Sequence, residues 1–418
     1  MRTRQPRTRP SRARSSGALS SRTRALRATR FGVTASLVLV VLCATLVLAA
    51  AAPAAQADPT SVTCQLSAAG VQYGAVVTVS GQLTPGAAQA VTITLGAAVV
   101  ATATSDAAGA YSADFVAHAG GDVIAVSGAT QSAPVRLDVQ PVLDVSHGAV
   151  APFLKTRYVL AITPSGYAGE VGLSVRHRGA VVATLLARAH DGKATFDVPL
   201  SGIDAFDLAF SAAADGLLSA RSLQTRVQVK WSRVAVGSHG PMVKGLLTAL
   251  ARLKVRVPGI GSSFSGQDGD ALVAFQKAYG LSRSRVADHA VWRKLDGARL
   301  IRPRYKSPRV HVEVNKARQI LMVVRNGVVY GYIPVSTGAT GNTPEGSFSI
   351  RQKSPATSTF FGPATLTWVM GFIGNFAIHG YPEVPSYPAS HGCIREPLWA
   401  ANWTYSQSFV GERLYVYH

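Results

Sequence analysis

Close to the C-terminal end, one cysteine stands in the run Ser390-His391-Gly392-Cys393-Ile394-Arg395, with Ile378-His379-Gly380 upstream of it. A thiol becomes a useful nucleophile as the thiolate, and a neighbouring imidazole is the usual agent. His391 and His379 could each take the proton. Gly392 lets the backbone approach a substrate closely, and the N–H groups of Gly392 and Cys393 could hold an oxyanion. Two other readings compete: a structural cysteine with histidines nearby, or a zinc site made of His379, His391 and Cys393. No CxxC or HExxH spacing supports the zinc site.

The elements before this motif have their own pattern. Val310-His311-Val312-Glu313-Val314 alternates, Gln319 to Val324 reads as a strand, and Asn326-Gly327 is a strong hairpin turn into Val328 to Val335. The loop from Ser336 to Pro344 is rich in Gly and Thr and is expected near the site. Trp368, Phe372 and Phe376 precede His379 and suit either a cleft wall or the core.

The His379-Gly380 pair with Ser390-His391-Gly392-Cys393-Ile394-Arg395 resembles the signature of the YkuD-type L,D-transpeptidases, cysteine enzymes that cross-link bacterial peptidoglycan. Val335-Ser336-Thr337-Gly338 and Thr343-Pro344-Glu345-Gly346-Ser347-Phe348 are similar to that family's strand, turn and strand before the active site. The resemblance covers the chain from about Val310 to the end. It implies Cys393 as nucleophile and His379 as general base, then acid. The Gly380 carbonyl would orient the imidazole, and Gly392, Gly380 and His391 would shape the oxyanion hole and loop. Arg395 and Ser390 would contact substrate. No nearby Asp or Glu competes convincingly for that orienting role; Glu383 and Glu396 are candidates only if they fold inward. Some family members carry Ser at 380 and Asn at 395; here only the backbone can act at Gly380.

Composition sets the compartment. The chain has 418 residues, only 15% of them charged, and a formal charge of +21. Ten arginines and no acid fall within residues 1–30, ahead of an apolar run from Phe31 to Ala52. A nucleic-acid-binding protein would keep its basic surface in the folded part, interleaved with aromatics. Here the layout, with Ala55-Gln56-Ala57 before Asp58, is that of a signal peptide or an uncleaved membrane anchor over residues 1–57. The exported part then holds Cys64 and Cys393 alone. Pairing them would disable the nucleophile, so Cys64 is expected to be a small buried residue in a strand.

The fold class expected is multidomain and mainly β. Residues 58–139 and 140–229 show short strands at regular spacing, read as two immunoglobulin-like β-sandwiches that serve as spacers or docking surfaces. His118, His147, His177 and His190 are expected on their surfaces. Residues 230–300 turn helical: Met242 to Val255, then Asp270 to Tyr279, with Pro258 to Gly269 as loop and Val291 to Leu295 closing the unit. Its pattern around Ala271-Leu272-Val273-Ala274-Phe275-Gln276, Gly280-Leu281 and Trp292 resembles the three-helix peptidoglycan-binding module. Residues 301–309 are a linker, and 310–418 form the β-rich catalytic domain.

The resemblance implies acyl transfer on peptidoglycan stem peptides. Attack at the bond between the L-centre of a diamino acid and a terminal D-Ala gives a thioester, and the amine of a neighbouring stem resolves it. Water as acceptor would make the protein an L,D-carboxypeptidase, and a decayed site would leave a wall-binding protein. Peptidoglycan and carbapenem-type β-lactams are the implied partners, with no nucleic acid, no cofactor and no metal, at the cell envelope.

Overall fold

In Val76–Thr84 apolar side chains recur at every second position, and the segment runs as a strand with Val77 and Val79 buried and Val76 exposed. That period of two places one row of side chains on each face of a sheet. The computed structural model describes residues 58–359 and 362–418. The Arg-rich start, the apolar run and the Ala55-Gln56-Ala57 sequence lie outside them. Among the described residues no helix is long and apolar enough to cross a membrane.

The first β segment has two sheets. Ser61–Val62, Val76–Thr84, Gln65–Leu66 and Ala110–Val116 form one; the other runs Gly70–Gln72, Val135–Gln140, Gly121–Ser127, Ala90–Leu95, Ala98–Thr104. Val79, Ile93 and Val123 meet in the core between them. In the second segment a three-stranded sheet (Val142–His147, Leu154–Thr163, Lys193–Leu200) covers a four-stranded one (Ala180–Arg188, Glu170–His177, Asp204–Ala212, Arg221–Val229). Phe210 links the layers, 5.9 Å from Phe196 and 6.3 Å from Tyr158 between ring centroids.

Two expectations change here. Cys64 lies between two short strands rather than within one, and is half-buried. His177 is not a solvated surface residue. It stacks on Phe206 at 4.1 Å and faces the buried Asp296 of the helical part at 3.4 Å. Strand alternation alone could not reveal a partner 119 residues away.

The helical part holds α1 (Pro241–Arg252), α2 (Gly266–Ala278) and α3 (His289–Gly297). Proline opens α1 at a position where its missing N–H costs nothing. Helix α2 starts before Asp270, inside the segment read as loop. Ser265 accepts from the Asp268 amide while the Asp268 carboxylate accepts from the Ser265 amide at 2.8 Å, a capping box that satisfies two otherwise orphaned N–H groups. Trp292 is fully buried and donates from Nε1 to the Ser232 carbonyl at 2.9 Å.

The C-terminal domain contains β1 (His311–Asn315), β2 (Ile320–Arg325), β3 (Val328–Pro334), β4 (Gly346–Ser349), β5 (Gln352–Thr359), β6 (Gly362–Ile373), β7 (Phe376–Tyr381), β8 (Ile394–Pro397), α4 (Leu398–Gln407) and β9 (Arg413–Tyr417). One sheet has the order β3-β2-β1-β9-β4 and the other β5-β6-β7-β8. The run Ile320-Leu321-Met322-Val323-Val324 is buried on both faces. Leu321 and Val323 pack with Ile378 and Ile394 between the two sheets, whereas Ile320 and Met322 join Leu246, Leu272 and Phe275 of the helical part. The helical part therefore shares an apolar core with the back of this sheet.

Candidate active site

Strands β7 and β8 run parallel, with His379 opposite Arg395 and Gly380 opposite Glu396. Partners across a ladder project on the same face, and so do residues two apart. His379, Arg395 and Cys393 thus share one face of the β7–β8 edge, and Glu396 points the other way. Glu396 is fully buried there, which holds its carboxyl well above the usual range, so it is not an orienting carboxylate for His379. Glu383 lies in the loop after β7.

His379 is 3% exposed. Its Nδ1 lies 3.0 Å from the Gly380 carbonyl oxygen. With the proton on Nδ1, the imidazole donates to that carbonyl and Nε2 keeps its lone pair. A Cβ at Gly380 would lie 2.7 Å from Thr367 Oγ1 and 2.9 Å from Ala401 Cβ, so the close packing of α4 on β7 requires glycine.

The Cys393 thiol is half-buried and donates to the Asn375 carbonyl at 3.7 Å. Burial pushes its pKa up, against smaller opposing effects from a backbone hydrogen bond at Ala377 and the Arg395 charge. Burial likewise pushes the His379 pKa down, opposed by the Gly380 bond. Both shifts disfavour charge, so burial favours a neutral thiol and a neutral imidazole.

Ser390 shapes the turn. Its hydroxyl donates to the Cys393 carbonyl at 2.5 Å and accepts from the Gly392 amide at 3.0 Å. The Gly392 N–H is thereby engaged within the turn. Gly392 has φ +135°, and a Cβ there would lie 2.5 Å from Phe376 Cε1. His391 is exposed. The Arg395 guanidinium lies 4.2 Å from the Tyr381 ring centroid, which positions it without neutralising it.

Several bracing residues carried no signal in the motif itself. Thr343 donates to the Gly392 carbonyl at 2.7 Å and accepts from the Gly338 amide at 2.8 Å. Asn342 donates to the His391 carbonyl at 2.7 Å. Lys316, after β1, donates to Gly341 and Thr343 carbonyls and to the Glu345 carboxylate, all within 2.9 Å. Gln319 is bonded to Thr337 through both ends of its amide. These residues precede the cysteine by 50 or more positions, and polar residues in turns read as solvated until the fold buries them. Phe372 is core, while Phe376 packs on Gly392. Among the described residues no three His, Cys, Asp or Glu side chains are grouped to hold a metal ion.

Residues 309–416 match the YkuD family, described as the L,D-transpeptidase catalytic domain. Solved structures similar to the chain include the L,D-transpeptidase (residues 123–326) from Xylanimonas cellulosilytica, with 30% identity, 44% of this chain and 98% of that chain covered, and a TM-score of 0.42. The L,D-transpeptidase from Stackebrandtia nassauensis shares 22% identity over 44% of this chain and 95% of that one, TM-score 0.30. LD transpeptidase LdtMt1 in complex with imipenem shares 14% identity over 66% of this chain and 99% of that one, TM-score 0.25. No curated protein matches the chain. The C-terminal domain, over residues 309–416, therefore matches the L,D-transpeptidase catalytic domain of the YkuD family.

Proposed function

We propose that the protein is a cysteine-dependent L,D-transpeptidase acting on peptidoglycan stem peptides. Cys393 is the nucleophile and His379 its base. The observation that carries this reading is the His379 Nδ1 to Gly380 carbonyl contact, on the face shared with Cys393 and Arg395. A backbone carbonyl fixes the tautomer, the task a carboxylate performs in other triads.

In this reading Nε2 takes the thiol proton as sulfur adds to the carbonyl of the stem's diamino acid. The tetrahedral oxyanion accepts from the Cys393 amide. His379 then returns the proton to the departing D-Ala nitrogen, leaving a thioester. The amine of a second stem attacks it, the C–S bond breaks, and the proton passes through His379 to sulfur. Arg395, an ungated cation two residues from the nucleophile, holds the D-Ala carboxylate. His391 stabilises the loop through its backbone, and Ser390 sets the turn.

The other parts fit delivery to a wall substrate. Residues 58–139 and 140–229 act as immunoglobulin-like spacers, and 230–300 as a peptidoglycan-binding-like module joined by 301–309 to the catalytic domain at 310–418. Residues 1–57 export the chain or anchor it, so it works at the cell envelope. A carbapenem that acylates Cys393 serves as a suicide substrate.

The test is intact-mass analysis after incubation with imipenem. One covalent adduct, mapped to Cys393 and absent in Cys393→Ser, is expected. Wild-type protein left unmodified, or labelled at Cys64, would overturn the assignment.

A further inference from the structure

A cleft of about 650 Å³ opens beside Arg395, between the start of α2 and residues 382–389. Two parts of the chain build it. Gln267, Asp270 and Arg285 come from the helical part; Glu383, Arg395 and Trp399 come from the C-terminal domain.

The walls are tied together. Arg285 pairs with Asp270 at 2.7 Å, and Trp399 Nε1 donates to the other Asp270 oxygen at 3.4 Å. Arg283 donates to the Ser386 carbonyl at 2.6 Å, and Lys277 to the Val335 carbonyl at 2.8 Å. Glu383 and Arg395 have no ion-pair partner among the described residues. The cleft therefore offers an unpaired guanidinium, Arg395, and an unpaired carboxylate, Glu383, beside the Arg285–Asp270 pair. Burial raises the Asp270 carboxyl even beside Arg285, so an arriving cation meets a carboxylate that gains from a second positive partner.

Reaction geometry assigns an occupant. The imidazole that protonates the leaving amine is also the one that takes a proton from an entering amine, so an acceptor that uses His379 approaches the thioester from the leaving-group side. With Arg395 on the leaving group's carboxylate, the leaving side is the cleft side. An acceptor whose amine and carboxylate share one carbon returns a carboxylate to Arg395 and brings its nitrogen past the acidic walls. We propose that this cleft is the acceptor subsite and that the helical part, through Asp270 and Gln267, sets acceptor specificity; this rests on the transpeptidase reading above. The acceptor arrives as an ammonium ion, loses one proton to solvent, forms the C–N bond as the C–S bond breaks, and gives its second proton through His379 to sulfur.

The experiment uses the full chain and its Asp270→Asn and Gln267→Ala variants. Cross-link formation from a tetrapeptide donor is followed as the acceptor tripeptide is varied, with D-Ala release measured in its absence. Calorimetry in the Cys393→Ala background measures binding of the tripeptide and of its analogue amidated at the α-amino-carboxylate end. The expected result is an acceptor KM raised about tenfold in Asp270→Asn, a smaller rise in Gln267→Ala, and a matching loss of affinity. The amidated analogue should bind more weakly than the parent. An acceptor KM and affinity unchanged in Asp270→Asn would overturn the subsite. A wild-type chain that neither releases D-Ala nor forms an imipenem adduct would instead sink the transpeptidase reading. The binding arm then decides alone: affinity lost with Asp270→Asn keeps the cleft as a site for an amino-acid end, and equal or absent binding removes it.

Discussion

Thr343 Oγ1 donates to the Gly392 carbonyl oxygen at 2.7 Å, one residue before the thiol, and this hydroxyl accepts from the Gly338 amide at 2.8 Å. One buried hydroxyl thereby joins the loop 336–345 to the cysteine turn. Thr343→Val keeps the shape and strands a buried N–H and a buried C=O. A buried group left unpaired costs about 1–3 kcal/mol. The variant should lose about 2 kcal/mol or more of stability and acylate about tenfold more slowly, while Thr343→Ser should recover most of both. Urea unfolding and stopped-flow acylation by imipenem provide the check; a Val variant as fast as wild type would show that the turn holds without this bond.

The two histidines should separate cleanly. His379→Ala is expected to abolish acylation at pH 7. His391→Ala, altered on an exposed side chain while its carbonyl still accepts from Asn342, should slow acylation less. Burial lowers the His379 pKa below its usual 6.5, so the imidazole stays neutral below that value; with His379 as the proposed base, the acid limb of the rate profile should fall at a pH below 6.5. For stability the sign is the same. The unfolded chain binds this proton more tightly, so the contribution is fully present above 6.5 and is lost as pH falls towards the lowered folded value. Acylation rates against pH, with circular dichroism as the fold control, test both. A dead His391→Ala beside a normal His379→Ala would mean that His391 is the base.

Lys277 carries a pH signature at the joint between the helical part and the catalytic sheet. Burial, helped by Arg283, lowers its pKa from 10.5 to about 7. The unfolded chain binds more protons between those values, so the folded state gains stability as pH rises from about 7 to 10.5. In Lys277→Met this gain should vanish. Thermal unfolding of both proteins at pH 7 and pH 10 measures it, and parallel shifts would show that Lys277 titrates normally.

Glu396 should act in the opposite direction. Full burial raises its carboxyl well above 4.5, so the folded state holds the proton more tightly. Its contribution is present below 4.5 and falls as pH climbs towards the raised folded value. Glu396→Gln, neutral at every pH, should therefore become progressively more stable than wild type from pH 5 to pH 8. Denaturation midpoints that keep a constant gap across that range would rule this out.

The local chemistry was written in the chain. Cys393, His379, Gly380 and Gly392 are close in sequence, and a period of two is enough to put Cys393 and Arg395 on one face. The alternating strands and the Leu246, Leu250 and Phe275 spacing marked most elements, because side-chain periodicity follows directly from backbone geometry. Only tertiary structure decided what lies opposite. Thr343 bonds the cysteine turn across 49 residues, Lys316 holds Thr343 from 27 residues away, and Asp270 reaches Trp399 across 129. His177 left the surface for the same reason, meeting Asp296 from another part of the chain. Sequence order specifies periodicity and local turns, but burial and partners at such separations arise only when the cores close. That is why the cysteine motif could be read directly while the cleft beside it could not.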